Sequence, residues 1–369
     1  PVFHAYNIFD WIRPNGIITT QLPEFNKFCN IINVQTKNIS ILSDLQRQKY
    51  TNFIQNHYLN NEEIKYLPTQ NEIFPFFTGF NQPSYISIYE TPGFLLPQQN
   101  NDPNQIIENN KLIGLMTSRP LIVTLPIKNA KTTFPVYYVD YLCVDTVERK
   151  SGIAPQIIQT HVYNERRMNK NIQISLFKRE SELTNIIPLT QYSTYKLSLV
   201  NIPYEKLPLA SIKLIEITKR TISLLLEFIF EQKEKFQCII VPDLGNIISL
   251  IESNNIIIYG LLENQKLCSC YIFKNSMVHY NDGKAIDFIG SITNVCFLEI
   301  FYIGFCNSIH ELCRRQNANQ IIFEMISDNV LIYNKYLNIM NNKFVSPTAY
   351  YFYNYRFKPV DSDKVFIIC

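Results

Sequence analysis

Residues 137–159 read YYVDYLCVDTVERKSGIAPQIIQ and contain three patterns in succession. The first eight residues are rich in aromatic and β-branched side chains, which predicts a strand. Isoleucines recur at helical spacing from Ile153 and Ile157 onwards and predict a helix with one apolar face, ending near residue 169. Gly152 lies between the two elements. The segment therefore predicts a strand, a tight turn and a helix, in that order.

The turn before this predicted helix can accept an anion. Backbone N–H groups at a helix N-terminus point towards an incoming anion, and the helix dipole adds ~0.3–1 kcal/mol for each favourable charge. Arg149 and Lys150 add positive charge beside Gly152. The spacing alone leaves two interpretations equally open, namely an anion-binding turn or an ordinary connection with a solvated basic surface.

A similar order of elements is predicted twice along the chain. In the first half, a helix at 44–59 precedes strands at 111–118, 121–127 and 137–144, the helix at 153–169 and a strand at 172–177. In the second half we predict strands at 256–262, 268–273 and 285–295, a helix at 296–315, a strand at 320–326, a helix at 330–340, and strands at 348–356 and 364–369. The chain is therefore predicted to have a mixed α/β fold, with two tandem halves, 1–202 and 203–369, around a largely antiparallel, twisted sheet.

The composition argues against several classes of protein. With 46% hydrophobic and 18% charged residues among 369, the chain can bury a large core, so a disordered protein is not expected. A net charge of +3 is small for a nucleic-acid-binding protein. The nine cysteines show no C-x-x-C spacing, which favours reduced thiols over structural zinc. The apolar stretches are shorter than the ~18 residues of a membrane span, and the first ten residues lack a signal-peptide core, so we expect a cytoplasmic protein without membrane insertion.

The segment at 137–159 resembles the strand, loop and helix of eukaryotic N-myristoyltransferases. These enzymes belong to the GNAT acyltransferase superfamily, in which R-x-x-G-x-A after such a strand is the acyl-CoA pyrophosphate loop. Other segments resemble the family in the same order: YNIFDW at 6–11, QLPEF at 21–25 with NHYL at 56–59, KLIGLMTSRP at 111–120, PLTQYSTYKLSL at 188–199, and YYFYNYRF with DSDKVFIIC at 350–369. The resemblance covers nearly the whole chain and implies two GNAT-like halves.

The resemblance also implies roles for particular residues. The backbone N–H groups of Tyr141 and Leu142, on a bulged strand, would stabilise the thioester oxyanion. The α-carboxylate of the last residue, Cys369, would be the base that deprotonates the acceptor amine. The acyl-CoA site would comprise Tyr6, Asn7, Ile8 and Phe9 near the start, and Cys143, Val144, Arg149, Lys150, Ser151, Gly152, Ile153 and Ala154 around the turn. The peptide site would comprise Tyr58, Ile64, Tyr66, Tyr195 and Asn294.

The implied activity is transfer of a myristoyl group from myristoyl-CoA to the amine of an N-terminal glycine. Acyl transfer from a thioester needs no metal or redox cofactor, so we expect none. The second half has SITNVCFLEI, without Arg or Gly, where the first half has its turn, which predicts one acyl-CoA site per chain. We expect a monomer whose partners are myristoyl-CoA and glycine-initiated peptides, and not nucleic acid.

Departures from the family leave alternatives open. The acidic GDG turn before the tyrosine-rich strand is replaced by FVSPTA at 344–349, and the closing strand is about one residue shorter. A GNAT-type enzyme acting on a small amine, or an inactive homologue that binds acyl-CoA or peptide, are the alternatives. The thiol of Cys369 is a rival to its carboxylate. We further expect His161 to be a half-buried packing residue, and Asp140 and Asp145 to point away from the oxyanion.

Overall fold

The computed structural model describes residues 15–59, 61–93, 110–127, 130–199, 202–208, 210–281, 283–295, 297–336 and 344–369. Its helices are α1 (Asp44–His57), α2 (Gln70–Ile73), α3 (Ile153–Met168), α4 (Ile222–Gln232), α5 (Leu244–Glu252), α6 (Leu298–Gln316) and α7 (Asn329–Tyr336). Its strands are β1 (Gly16–Ile17), β2 (Val34–Asn38), β3 (Ile64–Tyr66), β4 (Tyr85–Thr91), β5 (Lys111–Ile127), β6 (Ala130–Val144), β7 (Ser175–Glu180), β8 (Thr190–Ser198), β9 (Ile212–Ile217), β10 (Cys238–Val241), β11 (Ile256–Glu263), β12 (Lys266–Tyr280), β13 (Gly283–Thr293), β14 (Ala318–Glu324), β15 (Phe344–Tyr353), β16 (Tyr355–Arg356) and β17 (Val365–Ile367).

One large sheet dominates the described part of the chain, which confirms the predicted mixed α/β class. Fifteen strands belong to it, in the order β17-β10-β5-β6-β7-β15-β8-β14-β13-β12-β11-β9, while β2 and β4 extend from β5 and β3 pairs with β12. Most neighbours are antiparallel, and the pairs β6–β7, β13–β14 and β10–β17 are parallel. Strands of residues 203–369 pair with strands of residues 1–202, since β10 lies beside β5 and β15 lies between β7 and β8.

The two strands predicted to meet at Arg119 and Pro120 are a single strand, so that boundary was wrong. In β5, Arg119 lies opposite Tyr138 of β6 and Pro120 lies opposite Tyr137. A proline removes only its own N–H from the ladder. The pairing of β5 with β6 continues on both sides of Pro120, so the strand is not interrupted. The resulting long hairpin of β5 and β6 brings the predicted turn and helix against the sheet.

The pairing of β5 with β6 slips by one residue near its end. Leu115 lies opposite Cys143 and Thr117 lies opposite Asp140, so Tyr141 and Leu142 together oppose one residue of β5. Tyr141 has a φ of 47°, in the left-handed region. This is a β-bulge, which turns the backbone N–H groups of the extra residue out of the regular ladder.

Helix α3 follows the bulged strand and packs on the sheet through the predicted apolar face. Ile153 and Ile157 are buried in one cluster with Val34, Met116 and Val144. Burial of these side chains fixes the start of the helix relative to the end of β6. The helix N-terminus is therefore held at the sheet edge, next to the bulge.

The last residues of the sequence run into the interior. β17 is parallel to β10, and the N–H of Ile368 continues the pattern by donating to the carbonyl of Ile240 at 2.8 Å. Val365, Phe366 and Ile368 are fully buried, and Cys369 is 7% exposed. Among the described helices, none has the length and apolar character to cross a membrane.

Candidate active site

The turn before α3 leaves space in front of the helix. Gly152 caps the helix with a φ of 81°, and a Cβ at this position would meet no heavy atom within 4 Å. Lys150 also has a positive φ, of 66°. Residues 149–152 are all exposed. Since α3 is 16 residues long, the positive end of its dipole and its first N–H groups face a region that an anion can enter.

Arg149 ties this turn to its neighbours through backbone carbonyls. Its Nη2 donates to the carbonyl of His57 at 2.5 Å, and its Nε donates to the carbonyl of Val144 at 3.3 Å. These bonds join the turn to the end of α1 and to the end of β6. The guanidinium therefore positions the turn and adds positive charge to it.

Cys143, which is buried in β6, stays a thiol because burial raises its pKa to about 12.

The bulge carries a competing acceptor. The N–H of Tyr141 donates to Oδ1 of Asp140 at 2.9 Å, so the expectation that Asp140 points away from this amide was wrong. This amide therefore already has a carboxylate acceptor within the bulge. Asp145 behaves as expected: its carboxylate accepts from the N–H of Val147 at 3.0 Å and lies 3.4 Å from Nζ of Lys111.

Three tyrosines meet beside the bulge. The phenolic oxygens of Tyr66 and Tyr141 are 2.8 Å apart, and the ring of Tyr58 lies 5.3 Å from that of Tyr66 and 5.6 Å from that of Tyr141. Burial raises the pKa of Tyr58, Tyr66 and Tyr141 well above the ordinary value, so all three remain protonated. The structure thus brings two of the predicted peptide-site residues against the predicted oxyanion strand.

The other predicted peptide-site residues are more dispersed. Ile64 begins β3 and lies opposite Tyr280 of β12. The Tyr195 ring lies 4.4 Å from that of Tyr333. Tyr195 and Phe288 both lie opposite Phe323 of β14, so they are at the same level along the strands of the sheet. Asn294 is exposed and lies six positions after Phe288, roughly 20 Å along the strand direction. Tyr195 and Asn294 therefore lie at different levels of the sheet.

Cys369 lines a small polar cavity. Nζ of Lys274 donates to the main-chain oxygen of Cys369 at 3.3 Å, and the Cys369 Sγ lies 3.0 Å from the phenolic oxygen of Tyr350. The cavity has a volume of about 40 Å³. Its lining comprises Tyr138, Lys178, Lys274, Asp287, Ile289, Glu324, Tyr350, Ile367 and Cys369.

The ladder register explains why so many charged side chains face this cavity. Residues directly opposite each other on paired strands point to the same side of a sheet, as do residues two apart on one strand. Tracing the pairs from β5 to β12 places one row of polar residues on one side: Arg119, Tyr138, Asp140, Lys178, Glu180, Tyr350, Tyr192, Glu324, Asp287 and Lys274. The bulge and Cys369 share this side of the sheet.

Three of the charges in this row form one ion-paired group, namely Lys178, Glu180 and Glu324. Nζ of Lys178 lies 2.7 Å from Glu180 and 2.9 Å from Glu324, and Tyr192 donates to Glu324 at 2.5 Å. Burial disfavours the charged form of Lys178, but the two carboxylates outweigh it and hold its pKa well above the ordinary value. Burial also raises the pKa of Asp287 to about 7, although Lys274 and Lys178 oppose the shift. By contrast, the Lys178 ammonium lowers the pKa of Glu180, so the pKa values of these two carboxyl groups are shifted in opposite directions.

Solved structures with this architecture identify the fold. Three crystal structures of Saccharomyces cerevisiae N-myristoyltransferase, all with bound myristoyl-CoA and one also with inhibitors, match the chain with TM-scores of 0.68, 0.66 and 0.67. Sequence identity is 13%, 12% and 14%, over 95%, 93% and 95% of this chain and 90%, 83% and 88% of those chains. The chain has the N-myristoyltransferase fold. No protein-family model and no curated protein matches the sequence.

Sequence reasoning missed the charged residues of the cavity in this N-myristoyltransferase fold. Lys274, Asp287 and Glu324 each interrupt an otherwise apolar strand, in CYIFKNSM, AIDFIG and IIFEMI. A lone charge in a strand predicted to be buried costs free energy unless it has a partner or a use. That signal was present in the sequence, but only the register shows that the three charges lie on one side of the sheet.

His161 plays no part in this site. It is fully buried, not half-buried as expected, and lies 2.8 Å from Oγ of Ser87 and 2.9 Å from Oγ of Ser118. Glu165, one turn later in α3, lies 3.2 Å from the same ring. This network anchors α3 to β4 and β5, on the side of the sheet away from Arg119.

Tyr6, Asn7, Ile8 and Phe9, the predicted N-terminal part of the acyl-CoA site, lie outside the described residues. Within the described ranges, no group of three or more His, Cys, Asp or Glu residues is arranged to hold a metal ion.

Proposed function

We propose that this protein transfers a myristoyl group from myristoyl-CoA to the amine of an N-terminal glycine. The observation that carries the proposal is the placement of Cys369. Its main-chain carboxyl group lies in a polar cavity on the same side of the sheet as the bulge, in a fold whose solved examples bind myristoyl-CoA. A buried carboxylate costs several kcal/mol unless it has a partner or a use. Taking a proton from a substrate ammonium is such a use.

The chemistry assigns a step to each part of the site. An α-amine has a pKa of ~7.7–8.0 and must lose a proton before it can attack. The carboxylate of Cys369 accepts that proton, and the amine attacks the thioester carbon. The bulge N–H groups of Tyr141 and Leu142 stabilise the oxyanion, for which Tyr141 exchanges its bond to Asp140. The tetrahedral adduct then expels the CoA thiolate and leaves an amide.

The turn before α3 supports the binding of acyl-CoA in this proposal. Arg149 and Lys150 provide positive charge, and Ser151, Gly152, Ile153 and Ala154 provide the N–H groups of the turn and of the helix start for phosphate, with Cys143 and Val144 leading to the bulge. Tyr58, Ile64, Tyr66, Tyr195 and Asn294 are proposed as acceptor contacts. The reaction requires no metal or redox cofactor. We also propose that the protein acts as a cytoplasmic monomer.

One observation favours a second candidate, an acyl-CoA-binding homologue without turnover. Both groups that the reaction requires are engaged in the structure, because Asp140 accepts from Tyr141 and Lys274 donates to Cys369. If neither bond yields to substrate, acyl-CoA binds and no amide forms.

The experiment that tests the proposed function is a mass measurement. The protein is incubated with myristoyl-CoA and either a glycine-initiated peptide or its alanine-initiated counterpart. We expect the mass of one myristoyl group to be added to the glycine peptide alone, because a methyl group clashes before the nitrogen reaches attack distance, ~3–3.5 Å. Equal modification of both peptides contradicts the glycine assignment. Acyl-CoA binding without product favours the second candidate.

A further inference from the structure

Asp287 differs from the other carboxylates on its side of the sheet. Glu180 and Glu324 are paired with Lys178, and Asp140 accepts from the N–H of Tyr141. Across the ranges that the structure describes, the carboxylate of Asp287 makes no hydrogen bond and no ion pair within 4.0 Å. It is nevertheless partly buried and lines the same cavity as Cys369. It is a carboxylate placed at the site without a structural partner.

The proposed reaction requires two proton acceptors. An ammonium group loses two protons on becoming an amide nitrogen, one before attack and one as the tetrahedral adduct collapses. The CoA thiolate that leaves takes up one of them, so one proton is released overall. A single carboxylate that holds the first proton cannot take the second until it has been discharged.

We propose that Asp287 is the second proton acceptor of the site, since it lines the same cavity as Cys369. In this proposal, which rests on the proposed function, the Cys369 carboxylate takes the proton of the ammonium before attack. Asp287 takes the proton of the adduct nitrogen, directly or through one water, while the carbon–sulfur bond breaks. One of the two carboxyl groups then returns its proton to the CoA thiolate, and the other releases its proton to solvent.

The cavity is suited to this exchange. Its volume of about 40 Å³ can accommodate one water, which needs at least ~10–15 Å³ and two or more polar partners. The pKa of Asp287, about 7, matches a group that exchanges protons near neutral pH. Lys274 lies directly opposite Asp287 in the ladder and also donates to Cys369, so one ammonium is placed between the two acceptors. That cation favours the ionised, proton-accepting form of both.

Charged groups on several neighbouring strands affect the titration of Asp287. The charged and titratable groups facing it are Lys274 on β12, Lys178 and Glu180 on β7, Glu324 on β14, Tyr138 on β6, Tyr350 on β15 and Cys369 after β17. The lysines favour ionisation of Asp287, whereas Glu324 and Glu180 oppose it. Removing the carboxylate of Asp287 leaves the Lys178 pairs in place, so its effect can be separated from collapse of the cluster.

The test combines a titration with kinetics. The carboxyl carbons of aspartate are labelled with ¹³C, and the Asp287 signal is assigned by its loss in Asp287→Asn. We expect this signal to titrate near pH 7 and to move when a glycine-initiated peptide is added. In the kinetics, Asp287→Asn lowers kcat by about 10²-fold and removes the limb of the kcat–pH profile near pH 7. Asp287→Glu recovers most of that loss.

The control variant is Asp363→Asn, an acidic residue of the same segment as β17 whose side chain is 51% exposed. It should leave both the titration and kcat unchanged. An Asp287 signal that titrates below pH 5, or an Asp287→Asn variant with an unchanged kcat–pH profile, overturns the proposal. If the wild-type protein forms no amide, the proposed function fails, while the titration and its response to peptide still decide whether Asp287 is a proton acceptor at the site.

Discussion

The N–H of Tyr141 donates a 2.9 Å hydrogen bond to the carboxylate of Asp140, the residue before it in the bulge of β6. A carboxylate in this position competes with an oxyanion for the same donor, and its charge opposes the developing negative charge. The bond therefore has to break during the proposed reaction. Its strength sets part of the barrier.

Replacing Asp140 by alanine removes this competitor. We expect kcat for acyl transfer to stay at the wild-type value or to rise by up to about fivefold, since a hydrogen bond of this kind contributes ~1 kcal/mol. Asp140→Asn keeps a side-chain acceptor and should show a smaller gain. Steady-state kinetics at saturating acyl-CoA measure the difference. A loss of more than about tenfold in Asp140→Ala would show that the carboxylate is needed and that this amide is not the oxyanion donor.

The turn before α3 is tested by a pair of substitutions at Gly152. Both Gly152→Ala and Gly152→Asp place a side chain on a backbone with a φ of 81°, a conformation that costs alanine at least as much as aspartate, so a weaker affinity in Gly152→Asp alone cannot be due to backbone strain. The Cβ enters open space, and only the aspartate adds negative charge where phosphate is proposed to bind. We expect the Kd for myristoyl-CoA to rise at least about tenfold in Gly152→Asp and little in Gly152→Ala. Equal affinities in a calorimetric titration would rule out the phosphate assignment.

The titration of Asp287 has a consequence for stability that does not depend on catalysis. Its pKa is raised to about 7 in the folded protein, so the folded state holds a proton that the unfolded chain loses near pH 4. The stability linked to this group is fully present below about pH 4 and is lost as the pH rises to 7. Asparagine cannot titrate, so Asp287→Asn lacks this loss of stability. The free energy of unfolding of Asp287→Asn, relative to that of the wild type, should therefore increase as the pH rises from 5 to 8. Urea unfolding at these pH values measures it, and parallel curves for the two proteins would contradict the raised pKa.

A close backbone contact allows a test of the fold alone. A Cβ on Gly245, at the start of α5, would lie 2.5 Å from the carbonyl oxygen of Gly79, and backbone atoms cannot yield easily. We expect Gly245→Ala to lower the free energy of unfolding by ~1–3 kcal/mol. Gly290→Ala is the matched control, because its nearest new contact, Oγ of Ser327, is at 3.6 Å. Equal unfolding midpoints for the two variants would show that the α5 contact is not as close as described.

Local patterns in the sequence were sufficient to predict a strand, a turn and a helix that are adjacent in the sequence. The strand, turn and helix of residues 137–168 form as the spacing of Ile153 and Ile157 indicates, because a helix with one apolar face must bury it. The break expected at Pro120 was wrong for a physical reason. The pairing of β5 with β6 is long enough to carry the strand through a single missing N–H.

The polar row could not be predicted because it depends on register across strands that are distant in sequence. Lys178 and Glu324 are 146 positions apart in the sequence, and β15 and β8 lie between their strands. The two side chains meet because the register places both on the same side of the sheet. The direction of Asp140 was also beyond sequence reasoning, since its bond to the N–H of Tyr141 forms within a bulge that the sequence pattern does not locate. The resemblance to N-myristoyltransferases pointed to Cys369 but not to the charges around it.

The claim that the chemistry is centred on the buried carboxyl group of Cys369 is tested most directly by comparing two variants at the last residue. Adding two alanines after Cys369 displaces the carboxylate from its place beside Lys274, whereas Cys369→Ala keeps it and removes only the thiol. With glycine-initiated peptide and myristoyl-CoA, we predict that the extended protein loses ~10²–10⁴-fold in kcat while its affinity for myristoyl-CoA is retained, and that Cys369→Ala stays within a few-fold of the wild type. Normal turnover by the extended protein, or complete loss of activity in Cys369→Ala, would contradict the account.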